Sequence, residues 1–171
     1  SDFSLTKGYS SLSDRKRNSI GHLFLKYNYD LKYEDFNTSK VYLGIEKTTQ
    51  DTYLKVFSNN LFHTPAMPQN DNLMSTSLSI ELDHEDYYFS SAVAMYENLQ
   101  LRNSDRYQYI LPSYNFTKDY LPENLDGSFN FYSSGSNNLS NTNHLSTTVI
   151  NDLNYISTNY YSNFGSKVNY G

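Results

Sequence analysis

The sequence of this 171-residue chain predicts an all-β fold, an antiparallel up-and-down meander. Three observations predict it. Apolar and polar residues alternate along eight separate segments, which is the two-residue period of a β-strand. Ala occurs only 3 times, whereas Tyr occurs 18 times and Phe 10 times, and aromatic residues favour strands over helices. The many Ser and Asn residues, 24 and 21 of them, favour turns between the strands.

The first predicted strand covers residues 22–33, which read HLFLKYNYDLKY. Every second side chain is apolar or aromatic, and only Phe24 interrupts the polar set between them. At 12 residues the segment is long, because most strands of soluble proteins have about 5 or 6. It therefore predicts a long strand with one apolar face and one polar face.

The same alternation recurs along the rest of the chain. Charged residues in these strand cores fall in the polar set, and Asn151 interrupts the apolar set of one strand. In the segment 109–117 the apolar set holds Ile110, Pro112 and Tyr114. No segment has a convincing helical period. The further predicted strands are 40–46, 74–82, 87–96, 109–117, a short run around Phe129 and Phe131, 144–156 and 160–170.

The predicted connections alternate between short and long. Such alternation is expected of an up-and-down meander with short turns at one end and long loops at the other. The predicted short connections are 34–39, 83–86, 118–126 and 157–159, and the long ones are 8–19, 47–73, 97–108 and 132–143.

Composition and charge exclude several classes of function. The net charge of −5 is mild and the charges are interspersed, which argues against binding nucleic acid. Cysteine is absent, so the chain has neither disulfides nor thiolate metal sites. It has no apolar run of transmembrane-helix length and opens without a signal peptide. No motif pairs catalytic residues or binds a cofactor, so we expect neither an enzyme nor a cofactor or metal protein.

Strand length indicates what the apolar face contacts. Twelve residues at about 3.3 Å each, tilted by about 45°, cover roughly 28 Å, which is close to the hydrocarbon thickness of a membrane. In lipid only a closed barrel satisfies the backbone groups of strands. The favoured interpretation is therefore that the meander is part of a transmembrane outer-membrane β-barrel. Two alternatives stay open: a soluble or surface β-sandwich that binds glycans, and a small complete eight-stranded barrel.

The alternation assigns side chains to the two faces of the predicted barrel wall. A water-filled lumen would receive the polar set and the lipid would receive the apolar set. The predicted lumen-facing residues are Lys26, Asn28, Asp30, Lys32, Glu46, Ser75, Ser77, Ser79, Glu81, Ser113 and Asn115. The predicted lipid-facing residues are Leu23, Leu25, Tyr27, Tyr29, Leu31, Val41, Leu43, Ile45, Leu78 and Ile80.

Three stretches carry a resemblance to a known family. They are 51–57 (DTYLKVF), 73–81 (LMSTSLSIE), and 106–108 (RYQ) followed by 111–116 (LPSYNF). In order and spacing they are similar to the C-terminal barrel of the LptD family of lipopolysaccharide-assembly outer-membrane proteins. One departure is Gln50, where the family usually has Ser.

The resemblance implies that residues 1–171 are a fragment of a single LptD-like barrel domain, here with about eight strands. It implies a role in lipopolysaccharide transport and assembly at the cell surface of a Gram-negative bacterium, in the outer membrane. The implied partners are lipopolysaccharide, an LptE-like lipoprotein plug inside the barrel and outer-membrane lipids.

Four further segments are weaker candidates. The basic run 14–17 would meet anionic phosphates if its loop faced outward, and the acidic turn 83–86 has oxygens that suit a hard cation. The loop 58–72, apolar in its middle, would fold over a barrel mouth or contact a plug. The low-complexity segment 133–143 is expected to be a mobile loop.

Overall fold

One antiparallel sheet of eight strands, paired in chain order, dominates the computed structural model of the protein. The structure describes residues 2–7, 19–57, 61, 65–101, 106–123, 126–140, 143–158, 160–161, 164 and 167–168. The strands of the sheet are β1 (Asp2–Lys7), β2 (Ser19–Asp30), β3 (Thr38–Thr48), β4 (Leu73–Asp83), β5 (Tyr87–Asn98), β6 (Tyr107–Tyr120), β7 (Gly127–Ser140) and β8 (His144–Ser157).

The prediction of an all-β antiparallel meander is confirmed. The sheet is open, since β1 and β8 are its two edges and do not pair with each other among the described residues. A short helix, α1 (Tyr53–Phe57), lies between β3 and β4, although no helix was predicted there. Within the described parts of the chain, no helix is long and apolar enough to cross a membrane. The strand β1 was not predicted either.

The C-terminal segment differs from the prediction of a strand over 160–170. Two short strands, β9 (Tyr160–Tyr161) and β10 (Lys167–Val168), pair with each other in antiparallel orientation. Because Val168 lies opposite Tyr160, the chain reverses direction between them. The segment is therefore a two-stranded ribbon and not an eighth long strand of the meander.

The predicted long loop 132–143 is wrong. Strand β7 continues to Ser140, and only residues 141–143 connect it to β8. Ser, Gly and Asn have low β propensity. Here β7 pairs with β6 on one side and along its whole length with β8 on the other, so two ladders outweigh that intrinsic preference. Elsewhere the alternation holds, with shorter connections at 31–37 and 84–86 and longer ones at 49–72 and 99–106.

A β-bulge in β6 changes which residues share a face. The pairing with β5 passes from Ala92 opposite Ser113 to Ala94 opposite Ile110, so β6 contains one extra residue there. The bulge holds Pro112, which has no N–H to donate to a ladder. Ile110 therefore shares its face with Ser113, and the prediction that it shares a face with Tyr114 is wrong.

Candidate functional site

The pairing of the strands assigns each side chain to one face of the sheet. Residues directly opposite each other in an antiparallel ladder lie on the same face. Tyr27 lies opposite Leu43, Leu43 opposite Leu78, and Leu78 opposite Val93, so one apolar row crosses four strands. We call this side the apolar face. It carries the predicted lipid-facing residues Leu23, Leu25, Tyr27, Tyr29, Val41, Leu43, Ile45, Leu78 and Ile80.

The opposite side, the polar face, carries the predicted lumen-facing residues of the strands. One of its rows joins Asp30, Lys40 and Glu81, so that charge alternates in sign across β2, β3 and β4. Opposite charges across a ladder stabilise a sheet modestly. The predicted residues on this face are Lys26, Asn28, Asp30, Glu46, Ser75, Ser77, Ser79, Glu81, Ser113 and Asn115.

Two predicted site residues, Leu31 and Lys32, lie beyond the end of β2. The N–H of Lys32 donates to Oδ1 of Asp30 (3.0 Å), and Lys32 has a φ of 54°, in the left-handed region. An Asp side chain that bonds two residues onward starts a turn. The N–H of Leu31 still donates to the carbonyl oxygen of Ser39 on β3 (2.8 Å), so the chain leaves the strand conformation at Lys32, and strand alternation does not assign Lys32 to a face.

The apolar face has no second layer in the described part of the chain. Leu78, in the middle of β4, is 47% exposed and Leu153 on β8 is 66% exposed. A β-sandwich would bury such side chains between two sheets. Among the described residues there is instead one large sheet and the small β9–β10 ribbon.

Polar side chains on the apolar face bond to one another. The hydroxyl of Ser133 donates to Oδ1 of Asn151 (2.8 Å) and lies 3.2 Å from the hydroxyl of Tyr114. Thr147 donates to Oδ1 of Asn137 (2.8 Å). These pairs reduce the cost of taking the face out of water, because unpaired polar groups are expensive in an apolar environment. The bond from Ser133 also explains how Asn151, a polar residue, is accommodated in the apolar set of β8.

Charged residues on the apolar face lie only at its ends. On strands β2–β8 there are three, which corrects the expectation that every strand charge belongs to the polar face. Lys47 and Glu97 are at the end of the sheet with the long loops, opposite Leu23 and Met74. Lys118 is at the end with the short turns. The predicted strands ended before these positions, so the sequence pattern missed them.

Helix α1 covers the polar face at the long-loop end. Phe24, the residue that interrupts the polar set of the first strand, is 0% exposed and packs in a cluster with Tyr53 and Leu54. His22 stacks on Phe24 and its Nδ1 lies 2.9 Å from the hydroxyl of Tyr53. The described residues of segment 58–72 join this cluster through Leu61, Ala66 and Met67. We call the described residues of the segment 49–72 the cap.

A charged cluster attaches the cap to β5 and β6. Arg106 donates to both carboxylate oxygens of Asp51 (2.6 and 3.0 Å) and through Nε to Glu97 (2.8 Å). The Glu97 side chain is 2% exposed, and it also accepts from Lys47 (2.5 Å) and from the hydroxyl of Tyr107 (2.9 Å). The hydrogen bonds to Asp51 raise the pKa of Arg106 despite its partial burial, so its guanidinium stays charged.

Residues of the three sequence stretches 51–57, 73–81 and 106–108 meet at this cluster and cap. Asp51, Tyr53 and Leu54 come from the first, Met74 from the second and Arg106 from the third. Two features of the sequence could have predicted the cap: the apolar Phe24 in the polar set of β2, and Tyr53 and Phe57 at the i and i+4 spacing of one helix face. Nothing in the local sequence pairs Asp51 with Arg106, since 55 positions separate them.

Aromatic rings form a belt at the short-turn end of the sheet. Ring contacts join Tyr33–Phe36, Phe36–His84, Phe36–Tyr87, His84–Tyr87, Tyr87–Phe116 and Phe116–Phe131, with centroids 4.8 to 6.2 Å apart. Phe129 contacts Tyr155 in the same region (4.8 Å). We call these residues the ring belt. On β6, Lys118 lies opposite Tyr87 of β5 on one side and opposite Phe131 of β7 on the other.

The weaker candidates have different outcomes. In the acidic turn, Nδ1 of His84 accepts from the N–H of Asp86 (3.1 Å) and its ring stacks on Tyr87. No group of three or more His, Asp or Glu in the described part of the chain is placed to hold a metal ion. The basic run 14–17 lies outside the described residues.

Comparisons of the chain with models of protein families, with curated proteins and with solved structures found no match.

Proposed function

We propose that the chain is a segment of an outer-membrane β-barrel that takes part in lipopolysaccharide transport and assembly at the cell surface. The observation that carries this proposal is the uncovered apolar face on long strands. Strands β2–β8 have 11 to 14 residues. A transmembrane β-strand needs about 9–11 residues.

Lipid explains the apolar face better than water does. An uncovered face of this size costs free energy in water, about 25 cal/mol for each Å² of apolar surface left exposed. In a bilayer the same side chains contact hydrocarbon, and the ladders of the sheet pair most backbone groups of its interior strands. The hydrogen-bonded pairs among Ser133, Asn151 and Tyr114 fit the same environment.

The polar face would then line the lumen. Its hydroxyl, amide and alternating charged groups suit the hydrated sugar and phosphate head of lipopolysaccharide, while the acyl chains would remain in the bilayer. The assignment of this particular cargo rests on the resemblance to the LptD family. On the same basis an LptE-like lipoprotein would lie inside the barrel, against the polar face.

Site-specific photo-crosslinking in cells tests the proposal. A photoreactive amino acid replaces Ser79 on the polar face or its neighbour Leu78 on the apolar face, in the full-length protein. We expect ultraviolet-dependent adducts with lipopolysaccharide at Ser79 that disappear when lipopolysaccharide synthesis is stopped, and adducts with membrane lipid at Leu78 that remain.

Two results would overturn parts of this proposal. Lipid adducts at Leu78 without any lipopolysaccharide adduct at Ser79 would leave a membrane protein with a different cargo. If Leu78 gives no lipid adduct, the membrane placement itself is wrong.

A further inference from the structure

We infer that the apolar face crosses the bilayer with the ring belt at one lipid headgroup interface and the charged cluster of Lys47, Glu97, Arg106 and Tyr107 at the other. This inference rests on the proposed membrane placement and adds the depth of each end of the apolar face in the bilayer. The partner of both ends is the glycerol and phosphate region of the lipids.

The ring belt has the chemistry of a membrane interface. Aromatic side chains with a polar atom, such as Tyr and His, place their apolar body in the bilayer and their polar tip in the headgroup layer. Lys118, the only charged residue that the described strands β2–β8 place on the apolar face at this end, is exposed beside Tyr87 and Phe131. A lysine there can extend its ammonium to the headgroups while its stem contacts the rings.

The other boundary is defined by Lys47 and Glu97. The carboxylate of Glu97 is neutralised by Lys47 and Arg106. Beside them, the rings of Tyr107 and Tyr109 stack with centroids 6.3 Å apart, which adds aromatic side chains at this end too. About half of the Lys47 side chain is exposed while its Nζ is paired with Glu97, so a charge-neutral ion pair lies at this end of the apolar face.

The spacing of the two boundaries matches a bilayer. Strand β5 carries a residue of each, Tyr87 and Glu97, ten positions apart on the same face. Ten steps of about 3.3 Å span about 33 Å along the strand, and a tilt of about 40° reduces this to about 25 Å across the membrane. An apolar band about 25 Å tall is the usual height in outer-membrane barrels. Between the two boundaries β5 presents Phe89, Ser91, Val93 and Met95 to the lipid.

The absence of tryptophan from the sequence allows a direct test. Single tryptophans are introduced into the full chain at four positions: Tyr87→Trp in the belt, Val93→Trp midway, Tyr109→Trp near the charged cluster, and Ser90→Trp on the polar face of the same strand. Each variant is folded into vesicles whose lipids carry bromine either close to the headgroup or near the end of the acyl chain, and tryptophan fluorescence is measured.

We expect bromine near the chain end to quench Val93→Trp most strongly, and bromine near the headgroup to quench Tyr87→Trp and Tyr109→Trp most strongly. Ser90→Trp should respond to neither, and should be quenched by acrylamide from the water. Circular dichroism shows whether each variant keeps its β-structure, and Phe129→Trp replaces Tyr87→Trp as the belt position if that variant does not fold.

The outcomes separate this inference from the proposed function. If Tyr87→Trp is quenched best by the deep bromine, or Val93→Trp by the shallow one, the depth inferred here is wrong although the face contacts lipid. If brominated lipid quenches none of the variants that fold, the membrane placement fails, and the proposed function fails with it.

Discussion

Residues on the same strand differ in the face of the sheet on which they lie. Leu25 and Asn28 lie on the same strand, but Leu25 pairs with Ile45 on the apolar face and Asn28 pairs with Tyr42 on the polar face. The alternation predicted both assignments, because strand side chains point to opposite sides in turn. It failed to predict the environment of Phe24, which is on the polar face but is buried under the cap.

A buried charge on the apolar face should be costly. We expect Leu43→Arg, at the level of Leu78 and Val93 midway between the two boundaries, to lower the free energy of unfolding in lipid vesicles by about 2–4 kcal/mol, since arginine near the bilayer midplane is unfavourable by this amount. The matched variant Asn28→Arg adds the same charge on the polar face and should change stability little. Urea titration of the vesicle-folded protein measures both. Equal losses in the two variants would show that the faces have been assigned incorrectly.

Replacing Arg106 in the charged cluster should lower the stability of the protein more than replacing Asp51. Arg106→Met leaves the buried Glu97 without one of its partners, and breaking a buried ion pair costs about 3–5 kcal/mol. Asp51 is about half exposed, so Asp51→Asn should cost about 1 kcal/mol or less. Equilibrium unfolding of both variants tests this order of effects. A larger loss for Asp51→Asn would mean that the cap, and not Glu97, depends most on Arg106.

At the scale of elements, neighbouring strands override local preference. The segment of β7 from 133 to 140, rich in Ser and Asn, has the composition of a loop, yet it forms ladders with β6 and β8. Its Gly135 lies opposite Tyr114, and the Tyr114 ring covers the space where a β-carbon would be. An aromatic ring over a strand glycine is a known way to stabilise such a position.

Gly135 should therefore resist substitution. A β-carbon there would lie 2.5 Å from the Tyr114 ring and 3.2 Å from the carbonyl oxygen of Thr148, so we expect Gly135→Ala to cost about 1–3 kcal/mol through overpacking. In a Tyr114→Ala background the cost should fall below about 1 kcal/mol. Gly44→Ala is the control, since its nearest neighbour is the hydroxyl end of Tyr42, which can move away. Thermal unfolding of the four variants checks the coupling, and an undiminished cost in the Tyr114→Ala background would contradict it.

The whole molecule is defined by a sheet with an uncovered face and open edges. Along β8 both faces are mostly exposed, and the strand carries one charged residue, Asp152, and no proline. Soluble proteins usually protect an edge strand with charges, prolines or bulges, because its free backbone groups pair readily with another strand. The β8 edge lacks these protections.

We therefore expect the chain to associate through β8 when it is kept in water without detergent or lipid. Ile150→Lys places a charge in the middle of the edge and should reduce this association several-fold, as measured by light scattering. Ser79→Lys adds the same charge to the polar face of an interior strand and should have little effect. Equal reductions by the two variants would indicate that net charge, and not the edge, controls association.

The sequence by itself determined the class of fold, most strand positions and the two faces, because side-chain alternation along a strand is a local property. The tertiary structure alone decided features that depend on strand pairing or on distant contacts. These include the bulge that moves Ile110 to the other face, the extension of β7, the reversal of the chain at the C-terminal ribbon, and the cap held to β5 and β6 through Arg106. Each depends on hydrogen bonds or ion pairs between residues far apart in the chain, and local periodicity contains no information about them.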